Sequence, residues 1–327
     1  MKKSLLLLAL LAALPAHAAK SKYSYYRVGN AADVATATLP GTVLMGGGTD
    51  VDAAFQWLCA RAGNGDFLVI RATGTDAYNP YVQQLCPNAN SVATLIIPSA
   101  AAANDPFVAQ AIAGAEALWI AGGDQSDYIK QWTGTPVQAA INAHVASGKP
   151  IGGTSAGMDV LTQYVYSALG SKGVTSSEAL ADPYDRYVTL ARDFAAIPHL
   201  EHAIGDTHFV TRDRMGRNVA FLCRIAVAGW DSTPRAIDVD EQTALLVDGN
   251  GALTVTGSGS AYFLQAPGPA ETCQPKTPVT YRNIDVYRID STGTFDLDRW
   301  RGTQGTAYQL SAISGALTST LPGGAIY

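Results

Sequence analysis

Lys149-Pro150-Ile151-Gly152-Gly153-Thr154-Ser155-Ala156-Gly157-Met158 reads as a short buried strand that stops at a sharp bend and leaves it as a helix. Glycines on either side of Thr154-Ser155-Ala156 give the pattern G-x-S-x-G in the strand–turn–helix setting it requires. A serine at such a bend sits in backbone that larger neighbours would crowd, which is why the flanks are glycine. The bend exposes the hydroxyl beside a helix N-terminus, where the amide of Ala156 points toward any negative charge that develops. Ser155 is therefore the candidate nucleophile. The apolar stretch 158–166 is expected to continue the helix.

Upstream, short apolar runs at 42–45, 67–70, 93–97 and 117–120 alternate with stretches of helical character at 50–61, 105–113 and 137–146. Continuous apolar runs fit parallel strands covered on both faces. Pro106 and Pro136 stand at early helix positions, where a missing N–H costs nothing. Strand–helix alternation implies βαβ units and a parallel sheet. The fold class expected is α/β, a three-layer sandwich with a central, mostly parallel sheet. Ligands of such sheets bind beyond the carboxyl ends of the strands. Downstream, 170–185 is polar and turn-rich. From 236 onward, short β-rich runs separated by glycine and proline read as additions that extend the sheet.

The division expected is a signal peptide at 1–18, an α/β catalytic core at 19–235 and a β-rich C-terminal extension at 236–327 packed on the same domain. Lys2 and Lys3, an apolar run from Leu5 to Leu14 and the Ala16-His17-Ala18 cleavage site carry the first assignment. That apolar run is too short to span a bilayer. A secreted or periplasmic protein follows, with no membrane attachment after cleavage. The four cysteines, Cys59, Cys86, Cys223 and Cys273, suit an oxidising compartment. Of three connectivities, Cys59–Cys86 with Cys223–Cys273 is favoured because both pairs close local loops. No C-x-x-C spacing suggests zinc. A formal charge of −5 lacks the footprint of a nucleic-acid binder.

A serine nucleophile needs a base. His144 falls inside a helix and reads as packing or surface. His199 and His202 flank Glu201 with nothing to fix them. His208, in Gly205-Asp206-Thr207-His208-Phe209, reads as the end of a strand and is the better candidate. For the acid that orients it, Glu178, Asp182 and Asp185 are all available, and spacing does not choose among them. Arg212-Asp213-Arg214-Met215-Gly216-Arg217 is a basic stretch. If helical, it would pair Asp213 with Arg217 at i, i+4. Guanidinium forks beside a base suit a carboxylate-bearing substrate. Ala121-Gly122-Gly123-Asp124-Gln125 follows a buried strand. There Gly123 or Asp124 is placed to give a second oxyanion amide, and Gln125 offers an amide to substrate. Met45-Gly46-Gly47-Gly48-Thr49-Asp50 fits neither G-x-G-x-x-G nor a Walker loop. It reads as a tight turn with Asp50 as helix N-cap.

Taken together, Gly122-Gly123-Asp124-Gln125, Gly152-Gly153-Thr154-Ser155-Ala156-Gly157, Asp206-x-His208-Phe209 and Arg212-x-Arg214-Met215-x-Arg217 resemble the cyanophycinase family of serine peptidases, relatives of the aspartyl dipeptidases. The resemblance runs from about Val43 to Ile225. It implies a sandwich like that of class I glutamine amidotransferases, Ser155 as nucleophile and His208 as base. It makes Glu178, in Ser176-Ser177-Glu178, the acid. It places Gln125, Asp206, Arg212 and Arg217 at the pocket that recognises a β-aspartyl-arginine unit. Thr207 departs from the glutamine usual in cyanophycinases, and the loop before Glu178 is longer, which bears on substrate rather than reaction class. The activity implied is hydrolysis of cyanophycin or related β-aspartyl peptides through an acyl-enzyme, without metal or organic cofactor. Oligomeric state, a homodimer included, stays open. Rival readings are a peptidase of the same family acting on other short peptides, an α/β-hydrolase esterase and a non-catalytic extracellular binding protein. In the esterase the histidine normally lies later in the chain.

Overall fold

The computed structural model describes residues 22–327. The signal peptide assigned to 1–18 lies outside them. No helix among the described residues is long and apolar enough to cross a membrane.

Two sheets organise the chain. The larger has ten strands, in spatial order Ser24–Gly29, Ser91–Ile96, Asp66–Arg71, Ala117–Ile120, Ile151–Thr154, Gly41–Met45, Thr243–Asp248, Ala252–Gly257, Thr294–Asp296 and Arg301–Thr303. The five strands from Ser91–Ile96 to Gly41–Met45 pair in parallel. Those beyond either end pair antiparallel. The five apolar runs found in the sequence are these five parallel strands.

Strand alternation gives the sheet two buried faces. Val43, Met45, Phe67, Val69 and Trp119 face the helices Asp52–Arg61 and Tyr78–Leu85 through Phe55, Leu58 and Val82. Leu44, Leu68, Ile70, Leu118 and Ile120 face Pro106–Gly114, Gln125–Trp132 and Pro136–Ala146 through Ile112, Trp132 and Ile141. Each such side chain stabilises the fold by roughly 1.5–3 kcal/mol on burial. The three layers expected are present. Pro106 and Pro136 open their helices.

The C-terminal residues do not simply extend that sheet. Thr243–Asp248, Ala252–Gly257, Thr294–Asp296 and Arg301–Thr303 do. Arg235–Val239, Ala261–Gln265, Tyr281–Ile289, Thr306–Ile313 and Ala316–Ser319 instead build a second, eight-stranded sheet with Tyr164–Tyr166, Leu190–Arg192 and Ala203–Asp206. The reason lies in side-chain patterning. Ala261, Tyr262, Phe263 and Leu264 are all buried, so this strand needs cover on both faces. Phe263 joins the core under the large sheet, while Tyr262 joins a second core built on the helix Met215–Val227. The 235/236 division falls inside the strand Arg235–Val239.

Two local expectations are corrected. The helix after the bend is only Ala156–Asp159, and Tyr164–Tyr166 is a strand. Asp50 is not a cap, since the first helix begins at Asp52 with Val51 before it. Asp50 bonds Tyr78 instead, and burial raises its carboxyl above the ordinary value. Both favoured disulfides are present. Cys59–Cys86 joins the helix Asp52–Arg61 to the residue that follows Tyr78–Leu85, with Cα atoms 6.3 Å apart. Cys223–Cys273 pins the Pro-rich segment 266–278 to the helix Met215–Val227, with Cα atoms 6.0 Å apart.

Candidate active site

Ser155 leaves the strand Ile151–Thr154 with φ 52°, a positive value rare for a side-chain-bearing residue. The flanking glycines permit this bend. A Cβ on Gly157 would lie 2.0 Å from the Ile120 carbonyl oxygen, and one on Gly153 would lie 2.5 Å from the Gly157 backbone. The amide of Ser155 donates to the Met45 carbonyl at 3.0 Å, tying the bend to the neighbouring parallel strand.

His208 follows the strand Ala203–Asp206 in the second sheet, also at positive φ (48°). Its amide donates to the Gly46 carbonyl at 2.7 Å, so one turn of the large sheet holds the imidazole in place. Nε2 lies 2.8 Å from Ser155 Oγ, and Nδ1 lies 2.5 Å from Glu241 Oε1. With the Nδ1 proton directed at Glu241, the lone pair on Nε2 faces the serine hydroxyl. Burial holds the imidazole below its ordinary pKa. The bond to Glu241 opposes this, and the charges of Arg212 and Arg214 reinforce it.

The run Gly46-Gly47-Gly48 does more than make a tight turn. It packs directly on this pair. Gly47 has φ +90°, and a Cβ there would sit 2.5 Å from His208 Cε1 and Nε2. One on Gly48 would reach Glu241 Cβ at 3.0 Å. The amide of Gln242 donates to the Gly47 carbonyl at 2.8 Å, fastening the residue next to Glu241 to the same turn.

The carboxylate on His208 is thus Glu241, not Glu178. Glu178 closes a capping box with Thr175 at the start of the helix Ser176–Ala181 and pairs with Lys172. Lys172, then the Thr175 amide and hydroxyl, pull its carboxyl down to about 2. Asp182 accepts from the amides of Tyr184 and Lys276, and Asp185 from that of Tyr187. These three carboxylates therefore have partners other than His208. His144 is buried against the Pro150 carbonyl, and burial lowers it to about 4. His199 pairs with Asp298, and His202 with Asp231.

Around Ser155, a Cβ on Gly122 would lie 3.5 Å from the serine Cβ, so the Gly122-Gly123-Asp124 turn abuts the nucleophile. Asp124 caps the helix Gln125–Trp132 by accepting from the Ser126 amide at 2.8 Å. Gln125 Nε2 donates to the Tyr166 carbonyl at 3.2 Å. Arg212 is exposed.

Asp206 and Arg217 face each other. Arg217 Nε reaches Asp206 Oδ2 at 2.7 Å and Nη2 reaches Oδ1 at 2.5 Å, with the two residues 4% and 1% exposed. Arg214 Nη1 donates to Asp206 Oδ1 at 2.9 Å and to the Thr207 carbonyl at 2.8 Å. The helix starts at Met215, so the expected Asp213–Arg217 pair does not form. Asp213 accepts from the Tyr327 hydroxyl instead. Burial alone would raise Asp206, but Arg217 and Arg214 hold it below the ordinary carboxylate range. Nearby Asp159 and Asp238 are pushed up, first by burial and then by the Asp206 charge. The cluster braces the peptide immediately before His208 rather than opening onto a cleft.

A family model of peptidase family S51 matches residues 78–255, a stretch that contains Ser155, His208 and Glu241. A curated cyanophycinase of Trichormus variabilis is 29% identical over 185 residues, 55% of this chain and 56% of that protein. One of Synechococcus elongatus is 28% identical over 170 residues, 52% of this chain and 45% of that protein. The chain spans about half the length of these curated relatives. A solved peptidase from an acI-B1 Actinobacterium shares the fold, with a TM-score of 0.51 at 18% identity over 73% of this chain and 98% of that one. With the family model covering more than half of its residues, the chain belongs to peptidase family S51.

Proposed function

We propose that the protein is a secreted serine exopeptidase that hydrolyses cyanophycin or related β-aspartyl peptides to β-aspartyl-arginine dipeptides. The observation that carries the reading is the continuous hydrogen-bond chain from Ser155 Oγ through His208 to Glu241. Ser155 attacks the scissile carbonyl while His208 Nε2 takes its proton. Glu241 stabilises the imidazolium that results. The amides of Ala156 and of Gly123 or Asp124 bind the oxyanion. Collapse of the tetrahedral intermediate expels the amine, which takes the proton back from His208. Water, activated by the same imidazole, then releases the acid from Ser155. Gln125 and the exposed Arg212 flank this path as substrate contacts, whereas Asp206 and Arg217 support it from beneath. The paired cysteines favour an extracellular address.

The test combines two measurements. A fluorophosphonate probe is expected to label the unaltered protein and not Ser155→Ala. Incubation with insoluble cyanophycin is expected to release dipeptides identifiable by mass. Absence of labelling would leave a binding protein on this scaffold, and labelling without release of dipeptides would point to a different peptide substrate.

A pH profile follows from the surroundings of His208. Only the neutral imidazole acts as base, so kcat/KM falls as pH drops through its pKa. Burial, aided by Arg212 and Arg214, sets that pKa below the ordinary histidine value of about 6.5. The acid limb is therefore expected to have its midpoint below about pH 6.5. Arg212→Ala, by removing a cation, should move it upward. A midpoint at or above that value in the unaltered protein would contradict the environment described.

A further inference from the structure

Residues 209–214 lead from His208 to the helix Met215–Val227 in a compact double turn. The amides of Arg212, Asp213 and Arg214 fold back onto the carbonyls of His208, Val210 and Phe209 at 2.9, 3.0 and 2.9 Å. Asp213 stands at φ 48°, a left-handed value uncommon for a residue with a side chain. Phe209 is buried, but Val210, Thr211, Arg212 and Asp213 are all exposed, so core packing does not hold this stretch.

Bonds from other parts of the chain hold it instead. The Val210 amide donates to Asp240 Oδ1 at 3.2 Å, and the Ser176 hydroxyl donates to the Asp213 carbonyl. The third anchor is Tyr327, far outside the residues matched by the family model. Its hydroxyl donates to Asp213 Oδ1 at 2.9 Å and accepts from the Met215 amide at 3.0 Å. Arg214 provides no side-chain cap for the helix, so the phenol oxygen satisfies an amide that the first turn leaves unpaired. The ring stands edge-on to Phe209 at 5.8 Å and to Tyr262 at 6.0 Å. One side chain therefore grips the residue after His208, the Asp213 carboxylate and the start of the helix. The segment that presents it is tied down in turn. The Tyr308 hydroxyl donates to the Ile326 carbonyl at 3.0 Å, and the Ser319 hydroxyl donates to that of Ala325.

Arg212 lies between these anchors. Among the described residues no hydrogen bond or ion pair engages its guanidinium. Its charge is nevertheless felt at both His208 and Arg214. With no side-chain partner to orient it, Arg212 is directed by its backbone alone. A guanidinium fork recognises a carboxylate through direction as well as charge, so that backbone must be held.

We infer that Tyr327 is a positioning residue that directs Arg212 toward an anionic group of the substrate, and so sets specificity without touching substrate itself. The inference rests on the reading of Arg212 as a substrate contact beside Ser155. It gives the C-terminal β-rich region a part in the site beyond the carboxylate of Glu241.

The test compares two fluorophosphonate probes of equal length, one with a neutral tail and one ending in a carboxylate. Labelling rates are measured at about pH 8, where the imidazole is neutral. The unaltered protein should react faster with the anionic probe. Tyr327→Phe keeps the ring and loses the hydroxyl, and should lower the anionic-to-neutral rate ratio by about fivefold. Arg212→Ala should lower the ratio as well, and adding Tyr327→Phe to it should lower the ratio no further, because the two residues act in series. A purely structural role for Tyr327 would slow both probes alike and leave the ratio intact. That result, an additive loss in the double variant, or no preference for the anionic probe in the unaltered protein would overturn the inference while Ser155 still labels. Failure of both probes to label would overturn the reading of Ser155 and this inference with it.

Discussion

Glu241→Gln is expected to lower kcat by roughly 10³- to 10⁴-fold while leaving the fold intact. Glutamine keeps the shape of the side chain but offers His208 Nδ1 either an amide oxygen without charge or an NH₂ donor. The second option favours the wrong imidazole tautomer, and neither stabilises the imidazolium formed when Ser155 gives up its proton. Glu178→Gln is the matched control. Its carboxylate meets Lys172 and Thr175, so kcat should stay near that of the unaltered protein. Steady-state kinetics on a soluble oligomer of β-aspartyl-arginine units, with circular dichroism alongside, separates the two. Near-normal turnover in Glu241→Gln would remove Glu241 from the mechanism, and a large loss in Glu178→Gln alone would restore the carboxylate favoured by sequence resemblance.

The contrast between these two glutamates shows where sequence reading succeeds and where it stops. Ser155 was legible because its constraints are local. Gly153, Gly157 and the preceding apolar run lie within a few residues, and each glycine answers to a nearby backbone atom. The five parallel strands were legible for the same reason, being apolar runs bounded by turn residues. His208 was reachable as the end of a strand. Glu241 carries no such signal, because the β-rich runs from 236 onward look like trailing additions to the sheet. Yet the strand Arg235–Val239 lies parallel to Ala203–Asp206, with Asp238 opposite Asp206. His208 and Glu241 thus follow the carboxyl ends of neighbouring parallel strands, where ligand-facing residues of such sheets collect. Reading 235–239 as a parallel strand would have pointed to Glu241. The role of Gly47 had no local signal at all, since the ring it admits arrives from more than 150 positions further along the chain.

Arg217 extends this lesson from identity to energetics. The family resemblance implies that it contacts substrate, for which Arg217→Ala would mainly raise KM. The structure places it 4% exposed in a two-pronged bond to Asp206, itself 1% exposed. Truncation would leave a buried carboxylate facing only Arg214, amid Asp159 and Asp238 that already resist ionisation. Losing one partner of such a pair costs about 3–5 kcal/mol, which in a chain of this size lowers Tm by on the order of 10 °C. Arg217→Ala is therefore expected to unfold early in a thermal melt. The kinetic signature should be a fall in kcat, because Asp206 and Arg214 brace the Thr207 peptide that aims His208. Arg217→Met with Asp206→Asn removes the unpaired buried carboxylate and should recover part of the lost Tm, with Arg214 still donating to the Thr207 carbonyl. Calorimetry on the single and double variants decides the matter. A melt of Arg217→Ala indistinguishable from that of the unaltered protein, with KM alone raised, would return Arg217 to the substrate pocket and dissolve the brace beneath His208.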